Sequence, residues 1–105
     1  MNQNTGQVEV SFSYSRHLGP RYIHGGVTLQ LDALQPYSFS SLAEWPRESY
    51  ESQIREAVEE VLREHQGHLR STRVVLKRIE WDDTASCAAG FRQAALAACR
   101  AAFNV

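Results

Sequence analysis

The chain has 105 residues, 43% of them hydrophobic and 22% charged, with a formal net charge of -1. That length fits one domain burying somewhat more than about 60% of its unfolded surface, and the composition excludes a fibrous or largely disordered chain. Near-neutral charge gives no global attraction to nucleic acid or membrane, so any such partner has to be met through a local patch.

The first residues, Met1-Asn2-Gln3-Asn4-Thr5-Gly6, carry neither the basic start nor the apolar run of a secretory signal. No segment approaches the roughly 18 apolar residues that span a bilayer. The expectation is a soluble cytoplasmic protein, flexible over 1–6, with a single domain over 7–105. Val8, Val10, Phe12 and Tyr14 alternate with Glu9, Ser11 and Ser13, which predicts a half-buried strand from Gln7 to Ser15. Gly19-Pro20 and Gly25-Gly26 permit tight or left-handed backbone, so Arg16 to Gly26 reads as a projecting loop of about ten residues. Val27, Leu29 and Leu31 resume the alternation, and the loop closes a hairpin.

Gln35-Pro36 ends that second strand, and Tyr37-Ser38-Phe39-Ser40 offers a short third one. Pro46 suits the first turn of a helix, where its missing amide hydrogen is not needed. Ile54, Ala57, Val58, Val61, Leu62 and His65 form the apolar stripe of a first helix, from about Arg47 to about Gln66 and stopped at Gly67. Arg70 to Glu80 predicts the last strand. Thr84 to about Phe103 predicts a second helix, whose Phe91, Ala95, Ala98 and Ala102 give a small, smooth face suited to lying close on a sheet. The order is βββαβα, and the alternating strands need cover on one side only. The fold class is therefore α+β, a two-layer sandwich of one four-stranded sheet with both helices on one face.

Several chemistries find no support. A glycine-rich phosphate loop of the usual string is absent, so nucleotide hydrolysis is not indicated, and no nucleotide or other cofactor is expected. Cys87 and Cys99 stand twelve positions apart in one predicted helix. That separates their backbones by roughly 18 Å, too far for a disulfide, and reduced structural thiols are expected rather than a redox pair. His17, His24, His65 and His68 lack carboxylates or thiols at ligand spacing, so no metal is expected, and His65 and His68 suit the negative end of the first helix. Asp82-Asp83 points two ways and reads as helix capping by Asp83 or Thr84, not as a catalytic pair. An enzyme centred on His24 or Asp82 would need a closed pocket with convergent polar groups.

The stretch from Arg16 to His24 carries Arg16, His17, Arg21, Tyr22 and His24 around Gly19 and Pro20, with no acid. Cations beside rings are what phosphate contact and base stacking require, the alternative being a solvated hairpin tip that happens to be basic. A second group, Arg70, Arg73, Lys77 and Arg78, either adds to a basic surface or offsets the glutamates of the first helix.

Three segments in order resemble domain IV of translation elongation factor G: Gly19-Pro20-Arg21-Tyr22-Ile23 with the strand Val27 to Leu34, Trp45-Pro46-Arg47-Glu48-Ser49-Tyr50 ahead of the first helix, and Phe91-Arg92-Gln93-Ala94-Ala95-Leu96-Ala97-Ala98 in the second. The resemblance runs from about Val8 to Phe103. It implies a ribosomal-protein-like fold with a left-handed βαβ crossover, and a non-enzymatic module whose two tip loops contact ribosomal or other structured RNA. The implied contacts are Arg16, His17, Gly19, Pro20, Arg21, Tyr22 and His24 from one loop and Trp81 and Asp82 from the other. Asp82 stands where the family carries a histidine, and an acid facing phosphate is repulsive, roughly 1 kcal/mol at 4 Å in water. The GTPase part of that factor has no counterpart in the chain. The rival expectation is a protein-protein interaction domain that kept the fold and lost RNA binding, consistent with Asp82 and the acidic first helix.

Overall fold

The alternation that begins at Val8 does not stop at Ser15. In the computed structural model, which describes residues 7–33, 35–65 and 71–103, β1 (Gln7–Leu18) and β2 (Arg21–Ala33) pair without a break. Their antiparallel register runs from Gln7↔Asp32 to Leu18↔Arg21, and only Gly19-Pro20 is left to turn. Gly19 takes φ 63°, and proline holds its own φ negative, the sign pattern of a two-residue type II′ turn. The long loop expected over Arg16 to Gly26 is thus corrected to a two-stranded arm. Gly25 and Gly26 are strand, and Ile23 carries the apolar alternation past them. The expectations for 1–6, Leu34, Gln66, Gly67, His68 and Arg70 fall outside the described residues.

β4 (Thr72–Glu80) pairs antiparallel with β2, and β3 (Ser38–Ser41) pairs parallel with β4, giving the order β1-β2-β4-β3. α1 (Glu51–Glu64) joins the parallel neighbours β3 and β4 in a βαβ unit. The β2–β4 register slips between Thr28↔Arg78 and Leu29↔Leu76, leaving Lys77 as the extra residue of a bulge. The bulge keeps Ile79 beside Val27 and Leu76 beside Leu29 on one face.

That face carries the core. Val27, Leu29, Leu31, Val74 and Leu76 meet Ile54, Val58, Val61 and Leu62 of α1 and Phe91, Ala94, Ala95 and Ala98 of α2 (Ala88–Ala102) in a single buried cluster. Both helices therefore lie on one side, tied to each other at the surface by Arg92 to Glu60 at 2.8 Å and Arg100 to Glu64 at 3.0 Å. The other face is polar: Ser11 and Thr28 hydroxyls bond at 2.8 Å, Arg73 meets Asp32 at 3.1 Å, and Arg78 approaches Glu9 at 3.9 Å. Arg73, Lys77 and Arg78 thus answer carboxylates and an amide of the sheet, not the glutamates of α1, a correction that follows from the helices lying on the opposite side.

Both helices start later than their local signals. α1 begins at Glu51 because Ser49 Oγ already accepts the Glu51 amide at 3.2 Å, while Trp45 and Tyr50 turn inward to meet Phe91. Pro46 lies in the bend before it. α2 begins at Ala88 because residues 82–86 are held in a turn of their own. At the crossing of α2 over β2 the contact is backbone on backbone: a Cβ added at Gly25 would lie 2.5 Å from the carbonyl carbon of Gly90 and from the amide nitrogen of Phe91. Only a pair of residues without side chains allows this approach.

Candidate nucleic-acid interface

β4 stops at Glu80, opposite Gly26, while the β1–β2 arm runs on for five more residue pairs. The chain leaving β4 then follows the flank of that arm. His24 donates its amide to the Ala85 carbonyl at 3.1 Å and forms an isolated bridge with Ser86. The arm's end and the 81–87 connection therefore stand side by side at one pole of the sheet.

The connection is fixed from within. Asp82 Oδ1 accepts the Thr84 amide at 2.9 Å, the Thr84 hydroxyl at 2.9 Å and the Ala85 amide at 3.0 Å, and the Asp82 amide donates to Ser86 Oγ at 2.8 Å. The Thr84 amide and hydroxyl, followed by the Ala85 amide and the nearby His24, hold the Asp82 carboxyl below the usual range. The expectation that Asp83 or Thr84 caps α2 is corrected. Asp82 caps the turn before the helix, and Cys87 sits at the N-cap with no side-chain bond. Asp83 instead accepts Trp81 Nε1 at 2.9 Å and lies 3.8 Å from Arg47.

Trp81 is half-buried and joins a ring cluster. Its indole stacks on Tyr50 at 6.1 Å and on Phe91 at 5.9 Å, with Trp45 edge-on at 6.3 Å. Its ring anchors the loop from beneath. On the open face of the arm, His17, Tyr22 and His24 form a row, with centroids 4.7 and 6.4 Å apart. Ser15 Oγ lies 3.2 Å from His24 Nδ1, and Glu80 lies 4.0 Å from His24 Nε2. Arg16 and Arg21 alternate onto the other face. Arg21, Pro20 and Tyr22 line a cleft of about 430 Å³ against Thr84, Ala85, Ser86 and Cys87.

Every other described arginine lies within ion-pair distance of a carboxylate. Arg16 and Arg21 have no such partner among the described residues, and both are exposed. The structure thus gathers the residues singled out in sequence at one pole, and divides them into the exposed Arg16, His17, Arg21 and Tyr22 on the arm, a half-buried His24, and an internally bonded Trp81 and Asp82. Sequence reasoning missed Ser86, Gly90, Trp45 and Tyr50, which hold the pole in place.

Among the described residues no three metal-ligating groups converge. Cys99 is buried, and burial pushes its thiol up to about 12. No described helix is long and apolar enough to cross a membrane.

The fold and pole define a two-layer α+β domain with a cationic hairpin end. No family model matches the chain, and no curated protein matches it in sequence. The fold is shared with a crystal structure of a protein from Thermus thermophilus, at a TM-score of 0.79 and 19% identity over 92% of this chain. The chain spans 16% of the length of that protein. At that identity the likeness is one of fold.

Proposed function

We propose that this chain is a non-enzymatic RNA-contacting domain, akin to domain IV of elongation factor G, whose partner is ribosomal or another structured RNA. One observation carries the reading: the two exposed arginines without a carboxylate partner, Arg16 and Arg21, sit together at the end of an arm. Every other described arginine meets a carboxylate within the fold, so this end is where an external anion gains most. The exposed Tyr22 adds a ring on which a base can stack, and His17 lies against it. Asp82 Oδ1 accepts from Thr84 and Ala85, and these donors within the connection offset part of the charge an unbonded acid would present.

Mobility shift or filter binding against ribosomes and structured RNA over a salt series tests the proposal. Expected is salt-sensitive binding whose slope of log K against log salt falls by about 1.5 when Arg16→Ala and Arg21→Ala are combined, about 0.7–0.9 per phosphate contact. Binding that ignores salt, or a double variant identical to the parent, overturns it. A protein partner that co-purifies and survives the double variant would instead favour the protein-interaction reading.

A further inference from the structure

Open sheets end in two unpaired edges, and natural proteins blunt such edges with short strands, proline, lysine or bulges. β3 is blunt, with four residues. β1 is not. It runs twelve residues, Gln7 to Leu18, holds neither proline nor lysine, keeps a continuous register with β2, and has no described residue paired to its outer side. Alternation from the closing pair Leu18↔Arg21, the bonded pair of a two-residue hairpin, turns the amides and carbonyls of residues 9, 11, 13, 15 and 17 outward.

We propose that β1 pairs antiparallel with β1 of a second copy of this chain, about a two-fold axis at Ser13. The strand matches a second copy of itself about Ser13, and its charges pick the direction. Its only formally charged side chains are Glu9 near one end and Arg16 near the other. A parallel copy would set Glu9 against Glu9, whereas an antiparallel copy centred on Ser13 sets Glu9 against His17 and Arg16 against Val10, so that no like charges meet. The register follows from the same residues. With Ser13 opposite Ser13, Glu9 faces His17, Ser11 faces Ser15, and Phe12 faces Tyr14, all outward-turned backbone groups being matched with outward-turned ones. Phe12 is one of the few large hydrophobics left exposed, at 41%, and the partner's Tyr14 covers it on the helix side of the joined sheet. Aromatic cross-strand pairs thus flank the axis on both sides. Pairing closes at two copies because it consumes the long edge of each and leaves only the four-residue β3 edges. The 81–87 connection lies on the far side of β2 and stays open, so the assembly does not depend on the RNA reading.

Two measurements test it on the full chain. Sedimentation over a concentration series into the high micromolar range should show a reversible shift from 11.9 kDa to twice that mass. Ser13→Pro, which deletes an outward amide and none bonded to β2, should raise the dissociation constant at least tenfold. Because that variant can also perturb the strand, cysteine trapping supplies the second arm. In a Cys87→Ser background, Ser13→Cys should cross-link under mild oxidation, since facing residues of a bonded pair lie about 5.5 Å apart, and Ser15→Cys should not. A chain monomeric throughout, assemblies that grow past two copies, or Ser15→Cys cross-linking as readily as Ser13→Cys overturns the proposal.

Discussion

The substitution Gly25→Ala isolates the contact on which the pole is built. A methyl group there would meet the Gly90 carbonyl carbon and the Phe91 nitrogen at 2.5 Å, and ordinary contact begins near 3.4 Å, so α2 must retreat by about 0.9 Å. Both obstacles are backbone, and neither can swing aside as a side chain would. Overpacking of this kind costs about 1–3 kcal/mol, and retreat of α2 also loosens the His24 to Ala85 hydrogen bond, about 1 kcal/mol more. The expected loss is therefore about 2–4 kcal/mol. Urea unfolding followed by circular dichroism should show a lowered midpoint with an unchanged slope. Gly19→Ala is the internal control, since nothing lies within 4 Å of its Cβ and only its φ of 63° is strained, worth about 1–2 kcal/mol. A Gly25→Ala protein within about 0.5 kcal/mol of the parent, or more stable than Gly19→Ala, would refute the close crossing.

Asp82 makes stability depend on acid. Its folded-state pKa is depressed by the Thr84 and Ala85 donors, so its contribution is full above the ordinary carboxylate value of about 4 and is lost as pH falls through the lower folded value. Asp82→Asn keeps an acceptor and cannot titrate; its urea midpoint should be lower than the parent's at neutral pH and fall less on acidification, and an identical acid dependence would contradict the assignment. Thiol labelling followed by mass spectrometry at pH 8 should place one alkyl group on the half-exposed Cys87 and none on Cys99, whose thiol burial pushes up to about 12. Both should react in urea, and a doubly labelled native protein would show that the α2 core face opens.

Local signals were sufficient where one face of an element decides its state. The alternation of Val27 to Leu31 and the stripe from Ile54 to Leu62 are found as read, because burying them on a common side satisfies both elements at once, while in β1 only Val10 and Tyr14 pack against the core and Phe12 stays exposed. The signals failed where a distant backbone decides. Gly25-Gly26 resembles a turn in sequence, yet the reason for Gly25 is Gly90, sixty-five positions on in the chain and hard against it in space. Pro46 marks a helix start on local grounds, but the rings of Trp45 and Tyr50 gain more by reaching Phe91, and the helix waits until Glu51. Trp81, an RNA contact only by resemblance, has its ring against Tyr50 and Phe91, partners that come from elsewhere in the chain and that no local pattern indicates. That Arg16 and Arg21 lack a carboxylate partner is likewise a property of the folded surface, legible only once the other arginines have been paired.

The pole separates support from contact. The Asp82 turn, the ring cluster and the Gly25–Gly90 crossing fix where the arm and the 81–87 connection stand, and none of them needs Arg16 or Arg21. Those two arginines lie in the five residue pairs that pass the end of β4, an overhang of about 17 Å at 3.4 Å per residue. An overhang of that kind fits the long axis of a molecule measuring 46 × 25 × 24 Å. Both cations are exposed and unpartnered there and stabilise the fold little, since exposed charges without partners contribute almost nothing to folding. On the RNA reading this is the useful arrangement: Arg16 and Arg21 stand apart from the contacts that hold the pole and can be exchanged without unfolding the layer behind them.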